Sequence, residues 1–423
     1  MHTVDGQLYI MEDTYMTVER GIITSISQTR PKGDFDVFEM NKTQFILPGL
    51  IDTHIHAPQY AFAGCGLDLP LLEWLNKYTF PAESKFSNMP HAQAVYNSII
   101  EKTIAYGTTT GCYFATIYKD SSLMLAKICR ERGQRAFIGK VSMDRNSPDY
   151  YIETTEEAIS SLKSFIMDPE FSNSDLVRPI LTPRFVPSTT SDLMDAIGQI
   201  AAENPNLLIQ SHVSENENEI KWVHSLHSES ESYTATYQDH NLLLPRTILA
   251  HGVHLTDSEL VLLYESGASI SHCPASNFQL NSGHCDVRRL QSAGINVSLG
   301  TDVSGGPSPS LIETMRLALV CSSSVLFQKR AEKDPEPYEP LTVPDVLSMA
   351  TECGAKALGL DDKIGNFIVG KEFDAIVVDM NQGMTNCFGE ESKIDLLDKF
   401  VKLADDRNIL RVYVRGRALK FLK

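Results

Sequence analysis

Residues 48–56 read Pro-Gly-Leu-Ile-Asp-Thr-His-Ile-His, and the reading of this stretch decides the architecture. A β-branched and apolar run leads into two histidines, His54 and His56, separated by one residue. On extended backbone, positions i and i+2 share a face, so both imidazoles converge on one point. Neutral imidazole binds zinc at about 2.0–2.1 Å, and a catalytic zinc keeps one position open for water. Two surface histidines flanking a turn have the same spacing, so the rest of the chain has to decide between the readings.

Working outward, short apolar runs alternate with helical patterns, the signature of a parallel sheet with crossover helices. The expected strands are Phe45–His54, Thr108–Phe114, Ala136–Val141, Arg178–Thr182, Leu207–His212, Thr247–His251, Ala268–His272 and Asn296–Gly300. Helical patterns between them cover Ala92–Ala105, Thr155–Ile166, Thr190–Ala202, Asp257–Ser266 and Pro309–Ser322. This alternation predicts an α/β fold, a (β/α)8 TIM-type barrel. Both chain ends differ from the middle. Tyr15–Val18 and Ile22–Ile26 alternate as strands, and β character returns at Asp374–Asp379 and Ile409–Leu422. The ends together predict a small β-sandwich domain. Its N-terminal strands fall in residues 1–45 and its C-terminal return in 362–423, around a barrel over 46–361.

In such a barrel the active site lies at the C-terminal ends of the strands. Five ionisable residues fall there in order: His54 and His56, then His212, His251 and Asp302. This distribution favours a metal site over two surface histidines. His212, His54 and His56 read as metal ligands. His251 reads as either a ligand or a group hydrogen-bonded to the metal's water, with the balance towards a ligand. Asp302 can bind the metal and move a proton from water to the leaving group. Glu215, three residues beyond His212, can relay a proton, although Ser214-Glu215-Asn216-Glu217 also reads as a helix-capping sequence. Strand four ends Thr182-Pro183-Arg184-Phe185, so no lysine stands where a second metal would need a carbamylated one; Lys140 lies on strand three. One metal per chain is therefore expected. His227-Ser228-Glu229 lacks the Pro-Cys-x-x-Cys partner of a cytidine-deaminase site. His254 and His272 read as structural, and His2, His91, His224, His227, His240 and His284 as surface or helix residues.

Composition narrows the partners. Thirty-seven Lys and Arg against 54 Asp and Glu leave a net charge of −17 over 423 residues. So acidic a surface repels phosphate backbones and anionic lipid, which argues against nucleic acid and membrane and for a small neutral or cationic molecule. No segment reads as a membrane span, and Met1–Met16 does not read as a signal peptide. The eight cysteines form no Cys-x-x-Cys pair and read as reduced thiols of a cytoplasmic protein.

The run from Pro48 to His56 together with Gly300-Thr301-Asp302 resembles the amidohydrolase superfamily. Within it, Leu69-Pro-Leu-Leu-Glu-Trp-Leu-Asn-Lys-Tyr-Thr-Phe-Pro-Ala-Glu83 and Cys112-Tyr-Phe-Ala-Thr116 are similar to the guanine deaminase family. So are Thr182–Phe185, Ser211–Asn216 and Ser271–Asn277; Ala275 and the strands before Val18 depart from the pattern. The resemblance implies zinc-dependent hydrolysis of guanine to xanthine and ammonia, in purine catabolism or salvage, by a homodimer. It assigns Gln59, Arg184 and Phe185 to gripping the purine and places Glu215 beside the ring nitrogen that is protonated. Metal-bound hydroxide would attack, with Glu215 and Asp302 as proton shuttles and His251 assisting. Two rivals stand beside this expectation. One is a relative acting on a different purine, pterin or triazine, and the other is a barrel that serves only as a scaffold.

Overall fold

In the computed structural model, which describes residues 1–421, Pro48 and Gly49 separate two strands that the sequence reading joins. Gln44–Pro48 pairs antiparallel with Ala375–Asp379, while Leu50–His56 pairs in parallel with Thr108–Phe114. The Gly49 N–H donates to Asp374 O at 2.9 Å, and the next N–H, of Leu50, donates to Gly107 O at 3.1 Å. A Cβ on Gly49 would lie 2.2 Å from Thr109 Oγ1, so the crossing admits no side chain. The expected strand Phe45–His54 is thus two strands in two sheets. An apolar run carries no mark where its pairing partner changes.

The barrel strands are Leu50–His56, Thr108–Phe114, Arg135–Gly139 continued by Val141–Ser142, Val177–Pro179 continued by Thr182–Pro183, Ile209–Val213, Thr247–His251, Ser269–His272 and Val297–Leu299. Neighbours within each sheet are parallel. The two halves join where Leu181 N–H donates to Leu208 O and Gln210 N–H donates to Leu181 O, both at 2.9 Å. The ring closes where Asp302 N–H reaches His54 O at 2.9 Å and His56 N–H reaches Val303 O at 3.1 Å. This is the expected eight-stranded barrel. Its floor is apolar: Ile51, Cys112, Phe137, Ile180, Leu208 and Ile248 pack against Ala355, Leu358, Leu360 and Ile364. That burial excludes water from the end opposite the site.

The helices at Thr155–Ile166 and Asp257–Ser266 coincide with expectation, and each starts in a capping box, Thr154 with Glu157 and Thr256 with Glu259. The helix expected over Pro309–Ser322 instead spans Leu311–Glu332. By length and composition it is long and apolar enough to cross a membrane, contrary to the sequence reading. Here it is a barrel helix that buries Leu311, Ile312, Met315 and Ala318.

At the small sheet, Ala375–Asp379 lies between Gln44–Pro48 and Ile409–Val414, with Arg417–Phe421 outside. The expected strand Ile409–Leu422 is therefore a hairpin turning at Arg415-Gly416, and Leu422 lies outside the described residues. The hairpin Tyr15–Glu19 and Ile22–Ser27 covers this sheet through Ile23, Phe367, Phe373 and Ala375, giving the small sandwich from both ends. Two histidines expected at the surface are buried. His2 accepts from Phe367 N–H at 3.3 Å, and the His227 ring lies 2.8 Å from Arg145 Nη2. Long-range partners bury them, and local sequence does not show such partners. All eight cysteines are free: Cys112, Cys129, Cys273, Cys285 and Cys321 are buried, while Cys65 is exposed.

A buried charge cluster ties the small sheet to the barrel. Arg135, 3% exposed at the start of the third barrel strand, donates to Glu372 at 2.6 Å and to Asp374 at 3.1 Å. Asp374 also accepts from Arg415 N–H at 2.8 Å. Removing one partner of a buried pair strands the other charge, at a cost of about 3 kcal/mol. Asp374→Ala is therefore expected to lower the apparent melting temperature by about 3 °C or more. Calorimetry showing unchanged melting would mean that the link contributes no net stability.

Candidate active site

The five residues expected at strand ends meet at one mouth of the barrel. Asp302 Oδ1 lies 3.2 Å from His54 Nε2 and 3.4 Å from His56 Nε2. His56 Nε2 and His212 Nε2 face each other at 3.2 Å. His251 Nε2 stands 3.8 Å from Asp302 Oδ2 and 3.4 Å from Glu215 Oε2. Four donors about 2.0–2.1 Å from one ion would stand roughly 3.3 Å apart, so the observed spacing fits a single divalent metal. His54, His56 and His212 form one compact set, and His54, His251 and Asp302 an overlapping one.

Backbone geometry aims these groups. Ser214, His251 and Asp302 have φ of +47°, +76° and +47°, a region non-glycine residues avoid. Two of them are held by neighbouring bonds: Ser214 O accepts from His254 N–H at 3.0 Å, and Asp302 O from Gly306 N–H at 2.6 Å. The residue before the Thr301-Asp302 turn must be glycine, because a Cβ on Gly300 would sit 2.7 Å from His54 Cβ. Asp52 locks the same turn, accepting from Thr301 N–H at 3.1 Å, Thr301 Oγ1 at 2.6 Å and His54 N–H at 3.2 Å.

Two of the ring nitrogens turned away from the centre are also employed, while His56 Nδ1 is buried without a partner. His212 Nδ1 donates to Arg184 O at 2.6 Å and His251 Nδ1 to Asn277 Oδ1 at 3.0 Å, which leaves each Nε2 with its lone pair towards the cluster. Burial is the largest reason that His54, His56 and His212 are held below the ordinary imidazole value. Neighbouring imidazoles push the same way. Burial pushes Asp302 up, but His54 and His251 outweigh it and bring its carboxyl down to about 2.

Glu215 is placed beside this cluster, and Ser282 Oγ donates to it at 3.4 Å. Burial, then the charge of Asp302, raises its pKa well above the carboxylate range. The capping role that the sequence left open belongs to its neighbours: Asn216 caps the helix Glu217–Leu226, and Glu219 completes the box. Glu219 Oε2 accepts from Glu215 N–H at 3.0 Å; its own pKa rises to about 7, through burial and then the charge of Glu215.

These groups open into a cavity at the barrel mouth. Leu71, Trp74, Leu75, Phe185 and Leu280 form apolar walls, and Gln59 and Arg184 the polar edge. Gln59 is buried. Arg184 pairs with Glu83, and Lys140 is sequestered by Glu153 at 2.7 Å, so neither strand offers a lysine to a second metal.

Sequence reasoning assigned no role to Glu83, Tyr151, Phe114, Asn277, Ser282 or Glu219. Phe114 packs against the imidazoles, 4.5 Å from the His56 ring centre. Glu83 sits in the quoted Leu69–Glu83 stretch, where Glu73 is a second carboxylate and local pattern does not separate the two. Its helix changes winding at Leu75–Thr79, where Phe80 N–H reaches back to Leu75 O. Pro81, lacking an N–H and crowding the carbonyl a turn earlier, is the local reason.

Comparison with known proteins agrees with this geometry. Residues 45–419 match the amidohydrolase family. The chain is 49% identical to the guanine deaminase of Dictyostelium discoideum, over 99% of this chain and 92% of the relative. It is 46% identical to that of Homo sapiens, over 90% and 84%. A crystal structure of guanine deaminase from C. acetobutylicum with bound guanine in the active site superposes with a TM-score of 0.92. That protein is 37% identical, with 99% of this chain and 97% of the other covered.

The depressed imidazoles predict how metal binding responds to acid. Protons compete with metal for imidazole, and groups whose pKa is lowered stay neutral at lower pH. Between pH 7.5 and 6.0, three ordinary imidazoles would lose roughly 50-fold in affinity from protonation. Zinc affinity here is expected to fall by less than about 5-fold over that range, measured by competition with a chelating dye. A loss near the larger figure would show the imidazoles to be unperturbed.

Proposed function

Because the chain belongs to the amidohydrolase family, we propose that it is a zinc-dependent guanine deaminase, hydrolysing guanine to xanthine and ammonia. One observation carries this reading: Glu215 and His56, His212, His251 and Asp302, grouped with His54, line one cavity with Arg184 and Gln59. The sequence kinship to guanine deaminases supports the choice of base. The same reading carries one zinc per chain, a homodimer and a cytoplasmic location. His54, His56, His212 and Asp302 would hold the ion, and His251, between Asp302 and Glu215, would complete the set. When bound there, zinc supplies Lewis acidity that makes water a nucleophile near neutral pH.

The side chains do the rest. Arg184 and Gln59 donate to the carbonyl edge of the purine, while Phe185 and the leucine walls take its faces. This sets the amino-bearing carbon over the cluster. Asp302 takes one proton from the attacking water as the C–O bond forms. Glu215, held protonated by burial, gives its proton to the adjacent ring nitrogen. His251 positions the water between the two carboxyl groups. The C–N bond then breaks, and the amino group leaves as ammonia with the proton from Asp302. The new oxygen returns its last proton to Glu215, which leaves xanthine.

Glu215→Gln is expected to retain zinc while losing at least about 100-fold in kcat, because the relay goes and the ligands stay. Elemental analysis and the absorbance change from guanine to xanthine measure the two. A variant with near-parental rate would remove Glu215 from the mechanism. In the parent, a chelator is expected to abolish turnover; activity on adenine, cytosine or 8-oxoguanine with guanine inert would favour a different aminohydrolase.

A further inference from the structure

Glu83 is a carboxylate with 0% exposure, and no step of the proposed reaction uses it. It takes hydrogen bonds from three side chains remote from one another in sequence. Arg184 donates through Nη1 to Oε2 at 2.6 Å and through Nη2 to Oε1 at 3.0 Å. Gln59 Nε2 donates to Oε1 at 3.0 Å, and Tyr151 OH to Oε2 at 2.8 Å. Two of these donors, Arg184 and Gln59, form the cavity's polar edge, while Glu83 lies behind the wall and does not line the cavity.

The arrangement leaves that edge little freedom. A guanidinium has five N–H groups in one plane, and a bidentate carboxylate fixes the plane. Phe80 covers Arg184 at 5.3 Å from the ring centre, which removes a further orientation. A side-chain amide can present oxygen or nitrogen, but Glu83 claims the Gln59 nitrogen, and Ser304 N–H claims its oxygen at 3.1 Å. Ser304 Oγ also donates to Gln59 O at 2.6 Å, which anchors the residue's backbone. The N–H groups left over therefore form a fixed, donor-rich edge. Such an edge pairs with a carbonyl and leaves an edge without an acceptor unsatisfied, a difference that buried groups feel strongly.

We infer that Glu83 is a positioning residue that sets selectivity for 6-oxopurines, by holding Arg184 and Gln59 as an aligned donor pair. The inference rests on the proposed reading of guanine as substrate. Hypoxanthine and unsubstituted purine, which differ in the C6 carbonyl and the N1–H that comes with it, isolate the effect of that edge. Calorimetric titration of the zinc-loaded enzyme is expected to show the parent preferring hypoxanthine. Glu83→Gln should weaken hypoxanthine by about 10- to 100-fold and purine by less than about 3-fold. Loss of general packing would weaken both alike, so equal weakening, or none, overturns the inference. In a Gln59→Leu/Arg184→Gln background, Glu83→Gln should add less than about 3-fold, since its action runs through those two donors. A full additional loss there also overturns it. If Glu83→Gln alone does not fold, Glu83→Gln/Arg184→Gln removes both buried charges together, and the preference for hypoxanthine must vanish. Its persistence counts against the role. A parent that does not convert guanine to xanthine fails the underlying reading, whereas a parent that does, beside an unaffected Glu83→Gln, fails only the role of Glu83.

Discussion

The seam between the first and last barrel strands is the constraint on which the site depends. Asp302 N–H on His54 O and His56 N–H on Val303 O close the ring and bring together residues from opposite ends of the barrel sequence. Asp52 reinforces the seam from below by taking both the backbone and the hydroxyl of Thr301. Without closure the two histidines would face a gap. With it, the carboxylate reaches both at hydrogen-bonding range, and Gly300 lets the strands approach.

Burial then does electrostatic work at this seam. Removing water penalises every charged form, which lowers the pKa of His54 and His212 and raises that of Glu215. Asp302 alone goes the other way, because imidazoles surround it. The pocket thus sets two carboxyl groups with oppositely shifted pKa values side by side, the pairing that the proposed acid–base chemistry would use. The strained backbones at Ser214, His251 and Asp302 are the local cost of presenting all of these groups from strand ends.

The other side of the cavity is organised by one carboxylate. Glu83 offsets the charge of Arg184 and orders Gln59, so an edge made from distant parts of the chain behaves as a unit. A buried pair of this kind is weak evidence for stability, because desolvation opposes the attraction. Its geometry makes it better evidence for specificity. The winding change lies just before Pro81 and Glu83, so a local backbone irregularity precedes the carboxylate that holds the polar edge.

Much of this was legible in the sequence. Strand and helix periodicity determined the barrel, and Thr108–Phe114, Thr247–His251, Thr155–Ile166 and Asp257–Ser266 coincide with the structure because their patterns are local. His54, His56, His212, His251 and Asp302 stood out because polar residues at the ends of apolar strands are costly unless they are used. What local pattern could not carry, tertiary structure decided. Pro48-Gly49 passes the chain from one sheet to another inside a continuous apolar run. The final β segment folds back as a hairpin, and His2 and His227 are buried by partners far away in the chain. Glu83 belongs to the same class. Its type was visible, but its role exists only where Arg184, Gln59 and Tyr151 converge on it. Periodicity reports which face a residue turns, and only closure of the fold determines what that face meets.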